Sequence, residues 1–482
     1  MMAALAATEG SAILVALCAA MLGWPGKHWP DGLPEWRAIA WSVGLAASTL
    51  VALYYADAYD LEIVSGSGRL AARMPRLAAL AAPPLGLAAL WFPETAATAA
   101  VTVGVALLLL PVVRAPFYQL VRSGAFAERV LIVGTGPLAR RAMEAVEREA
   151  YGRCAIVGIV DDELDAIDSC VPPDERLGPL SGFDRIIDAM RPDRIVVALE
   201  ERRRRLPVRP LLEARLRGVL IEDGAAFYER WTGKIAFEAL TPSSLIFSQD
   251  FRVPCLALWV GRALSLVVAA VGLVVCLPAL AAIALAIRLD SPGPALFVQE
   301  RVGRGGRRFL LMKFRTMREA AEPHSEWALD NADRVTRVGL WLRRFRLDEL
   351  PQFVNVLRGD MDLVGPRPHP VSNFSLFVTI LRNSPECGEQ IPYYSLRSMV
   401  RPGITGWAQV RYRYANNLEE EIEKMRYDLY YVKHRSLWLD LRILADTVKT
   451  VLAGREALDA PPAPTAAPAG RRDRWQLAAR PR

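Results

Sequence analysis

The 482-residue sequence lacks the residue spacings that mark common metal and disulfide sites. Its six cysteines include no CxxC pair, and its four histidines form no HExxH motif and no paired cluster. These absences argue against a zinc site and against a disulfide framework. The first apolar stretch lacks a basic leader and contains Glu9, so no cleavable signal peptide is predicted.

Apolar residues and positive charge, in contrast, are abundant. Hydrophobic residues make up 52% of the chain, which is the upper edge for soluble proteins, and the formal net charge is +7. The apolar share predicts membrane segments. Beside a membrane, the positive charge favours lipid headgroups or a phosphorylated substrate over nucleic acid as the anionic partner.

Four apolar stretches lie near the beginning of the chain, at 10–24, 38–56, 75–92 and 96–113. Each is close to the ~20 residues that a spanning helix needs. Arginines lie between the second and third stretches and after the fourth, so the positive-inside rule places both ends of this bundle in the cytoplasm. We predict a four-helix transmembrane region over 1–115. The alternative, a buried apolar bundle, leaves too few polar positions to face water.

A second region begins at RVLIVGTGPLARRAMEAV, residues 129–146, which has the pattern of a strand, a glycine turn and a helix. Later runs repeat the alternation of apolar strand and polar helix. This pattern predicts a Rossmann-like parallel α/β domain over 127–240.

Gly134 and Gly136 belong to a GxGxxA turn, which is typical of dinucleotide-binding sites. Asp161 and Asp162 stand about where an acid that binds the ribose hydroxyls would be. Such turns also serve packing alone, so a structural or regulatory domain is the default interpretation.

Residues 263–287 form an uncharged apolar run that is long enough to span a membrane and has Pro278 near its middle. Arg262 and Arg288 stand at its ends, so the positive-inside rule points to the cytosol at both. An interior proline kinks or breaks a helix. We therefore predict a re-entrant hairpin that dips into the membrane and returns on the same side.

The stretch RRFRLDELPQ, residues 343–352, places Asp348 and Glu349 among arginines and at the start of a predicted helix. Both surroundings favour ionised carboxylates. An ionised aspartate suits a carboxylate nucleophile or a magnesium ligand. Helix capping and ion pairing are the structural alternative.

Three polar, glycine- and arginine-bearing stretches lie near this acid pair: FVQERVGRGGRRFLLMKFRTM, GDMDLVGPRPHP and RPGITGWAQVRYRY. Their Arg315, Arg367 and Arg401 offer planar bidentate donors for phosphate oxygens. Together with a carboxylate pair and a membrane dip, these arginines indicate phosphoryl transfer between a soluble diphosphate and a lipid phosphate.

Several motifs resemble the bacterial polyprenyl-phosphate phosphoglycosyl transferases, the monotopic sugar transferases that initiate exopolysaccharide and O-antigen assembly. They are SPGPALFVQERVG, KFRTM, LDELPQ, LVGPRP, RPGITGWAQV and YDLYYVKHRSLWLDLRIL. The likeness is close over 257–453. It extends more loosely to the whole chain, because larger members carry four membrane helices and a nucleotide-fold domain in this order. The expected fold is thus a membrane protein of α and α/β regions.

The resemblance implies that Asp348, in an Asp-Glu dyad with Glu349, attacks the sugar-bearing phosphate of a UDP-sugar and releases UMP. The phosphate of undecaprenyl phosphate then takes the phosphosugar from the aspartate. The resemblance also implies Mg²⁺ between Asp348 and the diphosphate. The expected substrate-binding residues are Lys313, Arg315, Arg343, Arg346, Arg367 and Arg401. The soluble domains are expected on the cytoplasmic side of the bacterial inner membrane.

Three positions depart from the family pattern. Ser265 stands where many members have Asp, Leu277 replaces the usual Ser before Pro278, and Arg346 replaces a Ser that often precedes LDELPQ. These departures affect the hairpin and the helix start, whereas the dyad is kept.

Tyr427, Tyr430, Tyr431 and Trp438 precede apolar residues at helical spacing. This pattern favours an amphipathic helix on the membrane surface, with core packing as its competitor. The Pro/Ala/Arg-rich tail, 456–482, is predicted to be disordered.

Two other function classes stay open. A membrane-tethered NAD-dependent nucleotide-sugar dehydratase would use Tyr-x-x-x-Lys, and no tyrosine here has a lysine four residues on. A non-catalytic assembly scaffold predicts that changing Asp348 leaves polymer synthesis intact. The transferred sugar, the ligand of the Rossmann-like domain and a homo-oligomeric state cannot be read from the sequence.

Overall fold

The computed structural model describes residues 35–55, 127–149, 153–162, 176–199, 205–237, 253–318, 334–371, 396–412 and 418–453, with a few isolated positions elsewhere. The α-helices are α1 (Glu35–Tyr55), α2 (Pro137–Arg148), α3 (Phe183–Met190), α4 (Val208–Leu216), α5 (Gly224–Thr232), α6 (Cys255–Asp290), α7 (Arg337–Arg344), α8 (Gln352–Arg358), α9 (Trp407–Arg411), α10 (Leu418–Lys433) and α11 (Leu437–Ala453). The strands are β1 (Glu128–Val133), β2 (Cys154–Val160), β3 (Arg176–Gly178), β4 (Arg194–Val197), β5 (Leu220–Asp223), β6 (Leu296–Val302), β7 (Arg308–Phe314), β8 (Asp362–Val364) and β9 (Gly403–Thr405).

The predicted N-terminal membrane region is represented by α1, which includes most of the stretch 38–56. The other three apolar stretches lie wholly or mostly outside the described residues, as does the tail 456–482. The four-helix region over 1–115 therefore stays a prediction.

The predicted parallel α/β sheet is confirmed. Its five strands pair in the order β3-β2-β1-β4-β5, and every pair is parallel. Because side chains alternate along a strand, Val130 and Ile132 of β1 pack with α2 and α5, whereas Leu131 and Val133 pack with α3 and α4. Helices therefore cover both faces of the sheet.

Helix α6 is, within the described ranges, the one helix that is long and apolar enough to cross a membrane. It runs for 36 residues and contains Pro278 in its interior. The chain stays helical through Pro278, so no loop interrupts it there, and the re-entrant course of this segment in the membrane stays a prediction. A proline removes one helix hydrogen bond and leaves the others in place, so it does not have to end a helix.

Both ends of α6 contact the same downstream domain. Near its start, the Arg262 guanidinium donates to the carbonyl oxygen of Val356 at 2.8 Å. Near its end, Ile287 packs in a buried cluster with Phe314. Between these ends Val274 is 73% exposed. An exposed apolar surface thus lies between two ends that are held on one domain.

The downstream domain lies within the predicted transferase region, 257–453. Strands β6 and β7 form an antiparallel ribbon, and β8 pairs with β9 in parallel. A buried cluster that includes Leu363, Trp407, Tyr431 and Ile443 joins β8, α9, α10 and α11. This cluster fixes the loops that follow β8 and precede β9.

The aromatic residues predicted to lie on the membrane surface divide between core and surface. Tyr427 and Tyr431 are buried, so core packing is the correct interpretation for them. Trp438 is 77% exposed, and Leu441 and Val448 of α11 are exposed as well. The sequence pattern misses this division because helical spacing alone does not tell which of two apolar faces meets a neighbouring helix.

The Rossmann-like domain docks on the transferase domain just after α5. The Trp407 indole donates to the carbonyl oxygen of Gly233 at 2.8 Å. The Ile235 amide donates to the Arg426 carbonyl oxygen at 3.1 Å, and the Arg426 guanidinium donates back to the Ile235 carbonyl oxygen at 3.2 Å. Gly233 has a φ of +66°, and a Cβ there would lie 2.8 Å from the Trp407 ring. The close approach therefore requires glycine.

Candidate active site

The acid pair lies in a tight turn between two short helices. Arg346 follows α7 in a left-handed conformation with a φ of +52°, and Leu347–Glu349 form a single 3₁₀ turn before α8. A left-handed conformation is costly for a residue with a Cβ, and such conformations persist where the surroundings fix them. The Arg346 guanidinium is held by Gln409, whose side-chain oxygen accepts at 2.9 Å.

Glu349 is buried and engaged. Its Oε1 accepts a hydrogen bond from the Arg367 guanidinium at 2.7 Å. Burial alone would raise the pKa of Glu349, but attraction to Arg367 and Arg346 outweighs burial and lowers that pKa below its usual value. Glu349 is therefore an ionised anchor for Arg367.

Asp348 is in a different state. Within the described part of the chain, no hydrogen bond or ion pair holds its carboxylate. Burial raises the pKa of Asp348 to about 6, repulsion from Glu349 adds to the rise, and Lys313, Arg367 and Arg343 oppose it. The expectation that the arginines dominate is thus wrong for the direction of this shift. At neutral pH the carboxylate is still mostly ionised.

Four of the six predicted substrate-binding residues surround the dyad. Lys313 of β7 and Arg343 of α7 attract the Asp348 charge, and Arg346 and Arg367 attract that of Glu349. The Arg343 Nε also donates to the Thr316 hydroxyl at 2.9 Å. These cations make an anion-binding surface at the dyad.

Arg315 and Arg401 lie elsewhere. Arg315 is buried, and its guanidinium donates to the carbonyl oxygens of Pro292 at 2.6 Å and Ser291 at 2.7 Å. It therefore fixes the loop after α6. Arg401 faces Asp362, with a nitrogen-to-oxygen distance of 3.8 Å.

The motif residue Gly365 and the buried Arg397 position Arg367. A Cβ on Gly365 would lie 2.4 Å from the Arg401 carbonyl oxygen, so the GPRP loop packs directly on the backbone before β9. The buried Arg397 donates to the Arg367 carbonyl oxygen and, at 2.7 Å, to Asp428. Sequence reasoning missed Arg397 and Asp428, because nothing local marks a pair that lies 31 positions apart.

A divalent metal fits the dyad in one respect. Mg²⁺ in phosphoryl-transfer sites usually takes one or two carboxylates and completes its shell with water and phosphate oxygens. The unengaged Asp348 carboxylate has the chemistry that such a ligand needs, whereas Glu349 is occupied by Arg367. No cluster of three or more His, Cys, Asp or Glu side chains occurs in the described ranges, so an all-protein metal cage is not formed there.

The residues of the GxGxxA turn mostly make packing contacts and hydrogen bonds within the domain. A Cβ on Gly134 would lie 2.7 Å from the Ala198 carbonyl oxygen, so this glycine allows β1 and β4 to end side by side. Asp161 is buried and accepts from the Thr135 amide at 2.9 Å, the Thr135 hydroxyl at 2.8 Å and Arg205 at 2.7 Å.

Gly136 caps α2 with an extended backbone, and Asp162 accepts from the Leu180 amide at 2.8 Å. The buried Asp161 is therefore fully engaged within the fold, and Asp162 has one oxygen engaged by the Leu180 amide. This favours the structural or regulatory interpretation and weighs against the dehydratase.

Comparison with known proteins places the chain among sugar transferases. The family model described as "Bacterial sugar transferase" matches residues 256–454. The chain is 43% identical over 197 residues to a UDP-N-acetylgalactosamine-undecaprenyl-phosphate N-acetylgalactosaminephosphotransferase of Aeromonas hydrophila, covering 41% of this chain and 44% of the relative. It is 42% identical over 190 residues to a UDP-glucose:undecaprenyl-phosphate glucose-1-phosphate transferase of Escherichia coli, covering 39% of each.

A third related protein is matched over a larger share of its own length. A UDP-glucose:undecaprenyl-phosphate glucose-1-phosphate transferase of Caulobacter vibrioides is 44% identical over 194 residues, covering 40% of this chain and 69% of the relative. The matched regions span less than half of the Aeromonas and Escherichia proteins but two thirds of the Caulobacter protein. With the dyad and its cations in the matched region, the chain belongs to the bacterial sugar transferase family.

Proposed function

We propose that the protein transfers a sugar 1-phosphate from a UDP-sugar to undecaprenyl phosphate and releases UMP, as the first membrane step of exopolysaccharide assembly. The observation that carries the proposal is the unengaged Asp348 carboxylate beside Lys313, Arg343 and Arg367. The relatives' names supply the donor and acceptor classes. A buried carboxylate among cations is suited to attack on an anionic diphosphate.

In the first step, an Asp348 oxygen attacks the sugar-bearing phosphorus of the donor. A bond forms between that oxygen and phosphorus, the bond to the bridging oxygen breaks, and the electron pair leaves with UMP. In the second step, a phosphate oxygen of undecaprenyl phosphate attacks the same phosphorus and frees Asp348. Each step conserves charge without an external acid, because the leaving groups are stable phosphate and carboxylate anions.

The surrounding residues have separable roles. Arg367, anchored by Glu349 at 2.7 Å, and Lys313 would neutralise the phosphate oxygens as charge moves. Asp348 would be the protein ligand of Mg²⁺, which when bound supplies further charge neutralisation on the diphosphate. Arg343 and Arg346 are tied to Thr316 and Gln409 and so present fixed charges.

The attachment of α6 supports a one-sided arrangement in the inner membrane. Its two ends contact the domain that carries Asp348, and the apolar centre is exposed. If this centre enters the bilayer, the dyad stays at the cytoplasmic headgroups, where a cytosolic UDP-sugar and a lipid phosphate meet. Single cysteines placed just before Arg262 and just after Arg288, in a cysteine-free background, should both react only from the cytoplasmic side. Periplasmic labelling of the second would show that α6 spans the membrane.

The direct test uses purified full-length protein with Mg²⁺, undecaprenyl phosphate and a panel that includes UDP-glucose, UDP-galactose and UDP-N-acetylgalactosamine. We expect UMP release with at least one donor. With donor alone, mass spectrometry should find a phosphosugar on the peptide that contains Asp348. An absence of UMP with every donor would refute the transferase, and an adduct on another residue would refute the aspartyl scheme alone.

A further inference from the structure

A second arginine cluster, separate from the dyad, surrounds the buried carboxylate of Asp362 on β8. It consists of Arg262, Arg401 and Arg435, which come from α6, the loop before β9 and the loop between α10 and α11. Arg262 is engaged, because it donates to Asp362 Oδ1 at 2.8 Å and to two backbone carbonyl oxygens.

The other two arginines of this Asp362 cluster are not saturated. Arg401 and Arg435 approach Asp362 Oδ2 only to 3.8 and 3.6 Å, which is beyond hydrogen-bonding distance. Neither guanidinium has a hydrogen-bond acceptor among the residues that the structure describes. The side chains are 32% and 15% exposed, so both can be reached from outside.

The cluster carries an excess of positive charge. Asp440 is the second acid there: its carboxylate accepts from the Tyr431 hydroxyl at 2.8 Å, and Arg435 attracts its charge. Two carboxylates therefore face three guanidiniums. Partly buried guanidiniums with free donors are costly unless an anion completes them, and two convergent arginines suit the oxygens of a phosphate.

The position of the cluster indicates where this phosphate comes from. The Asp440 carboxylate lies 3.6 Å from where a Cβ on Gly261 would be, so α11 begins beside the first turns of α6. Trp259 of α6 is 75% exposed and Trp438 of α11 is 77% exposed. Exposed tryptophans beside an apolar helix are typical of the level at which membrane headgroups lie.

We propose that Arg401 and Arg435 bind the phosphodiester of an anionic membrane phospholipid. This lipid is a bound headgroup that holds the junction of α6 and α11 at the membrane, and it is not a reactant. Arg401 then belongs to this lipid site and not to the substrate site predicted from the sequence.

The test measures binding of a fluorescent short-chain phosphatidylglycerol to the full-length protein in detergent micelles, with phosphatidylcholine of the same chain length as the lipid control. Arg435→Gln should weaken phosphatidylglycerol binding about tenfold, because a charge-assisted contact is lost. Arg435→Lys, which keeps the charge but loses the planar fork, should weaken it by about threefold. Arg308→Gln is the matched control: this exposed arginine on β7 pairs with Glu300 at 3.5 Å and should bind as the wild type does.

The proposal would be overturned by unchanged binding in Arg435→Gln, by equal weakening in Arg308→Gln, or by equal binding of the two lipids. If the thermal midpoint shows that Arg435→Gln does not fold, the binding measured for Arg435→Lys decides the test. A competition arm separates the two sources of lipid phosphate. Saturating undecaprenyl phosphate should leave phosphatidylglycerol bound. Displacement in the wild type would assign the cluster to the acceptor and refute the phospholipid site.

Discussion

The acid pairs Asp161–Asp162 and Asp348–Glu349 both stand at turns, and only the second retains an unengaged carboxylate. In the Rossmann-like domain, Asp161 accepts from Thr135 and Arg205, and Asp162 accepts from a backbone amide. In the transferase domain, Glu349 is held by Arg367, while Asp348 has no such partner in the described ranges. The two pairs look alike in the amino-acid sequence. Accounting for each hydrogen bond distinguishes an acid that builds a fold from one that is available for chemistry.

The largest expected effect comes from removing the unengaged carboxylate. Asp348→Asn keeps the shape of the side chain but removes the anionic nucleophile, so UMP release should fall by more than about a thousandfold. Asp161→Asn should keep activity within about twofold, which makes it the paired control. Turnover near the wild-type level in Asp348→Asn would show that Asp348, like Asp161, is not needed for the reaction.

A pH profile sharpens the same comparison. The pKa of Asp348 is raised to about 6, so single-turnover UMP release with donor alone should fall about tenfold per pH unit below that value and level off above it. Omitting the acceptor keeps its phosphate from titrating in the assay. A flat profile from about pH 5 to 8 would show that ionisation of Asp348 does not limit the first step.

The raised pKa also has a consequence for stability. A carboxyl whose pKa rises from 3.8 to about 6 on folding binds a proton more tightly in the folded state, so its ionised form destabilises the fold at neutral pH. Asp348→Asn should therefore raise the thermal midpoint by a few degrees at pH 7, and the gain should disappear below pH 4. A lowered midpoint at pH 7 would contradict this sign.

Substitution of Asp161, which makes structural contacts, should have the opposite effect on stability. Asp161→Asn weakens the pairing with Arg205 and the bonds from Thr135, at a cost of about 2 kcal/mol to the Rossmann-like domain. Denaturant unfolding should report this loss as a lower midpoint. An unchanged midpoint would mean that Asp161 is not structural and would reopen its role as a ligand-binding acid.

Deleting the upstream regions should also have a small effect on activity. A chain that begins near residue 250 keeps Asp348 and its cations, so its turnover should stay within a few-fold of the full-length rate. It loses the acceptor of the Trp407 indole, and its stability should fall by about 1 kcal/mol. A folded, membrane-bound but inactive truncation would show that the upstream domain helps to form the site.

Local chemistry made much of this molecule predictable. The glycine turn and apolar runs identified the parallel sheet, because strand and helix periods differ. The position of the dyad was predictable from LDELPQ. Arg315 shows the limit: its sequence context is that of a site residue, but its guanidinium turns towards carbonyl oxygens 23 and 24 positions away. The pKa of Asp348 was also beyond sequence reasoning, since burial depends on how distant elements pack.

The hydrogen bond between Trp407 and Gly233 has a consequence for the order of folding. It joins residues 174 positions apart, and Gly233 leaves the ribosome well before Trp407. Domains generally fold as units from the N-terminal side during synthesis, so the upstream sheet can be complete when the later motif emerges. The carbonyl oxygen of Gly233 is then already in place as a hydrogen-bond acceptor when α9 forms. Contacts of such long sequence separation form slowly when both partners are still unfolded, and an already folded partner removes part of that delay.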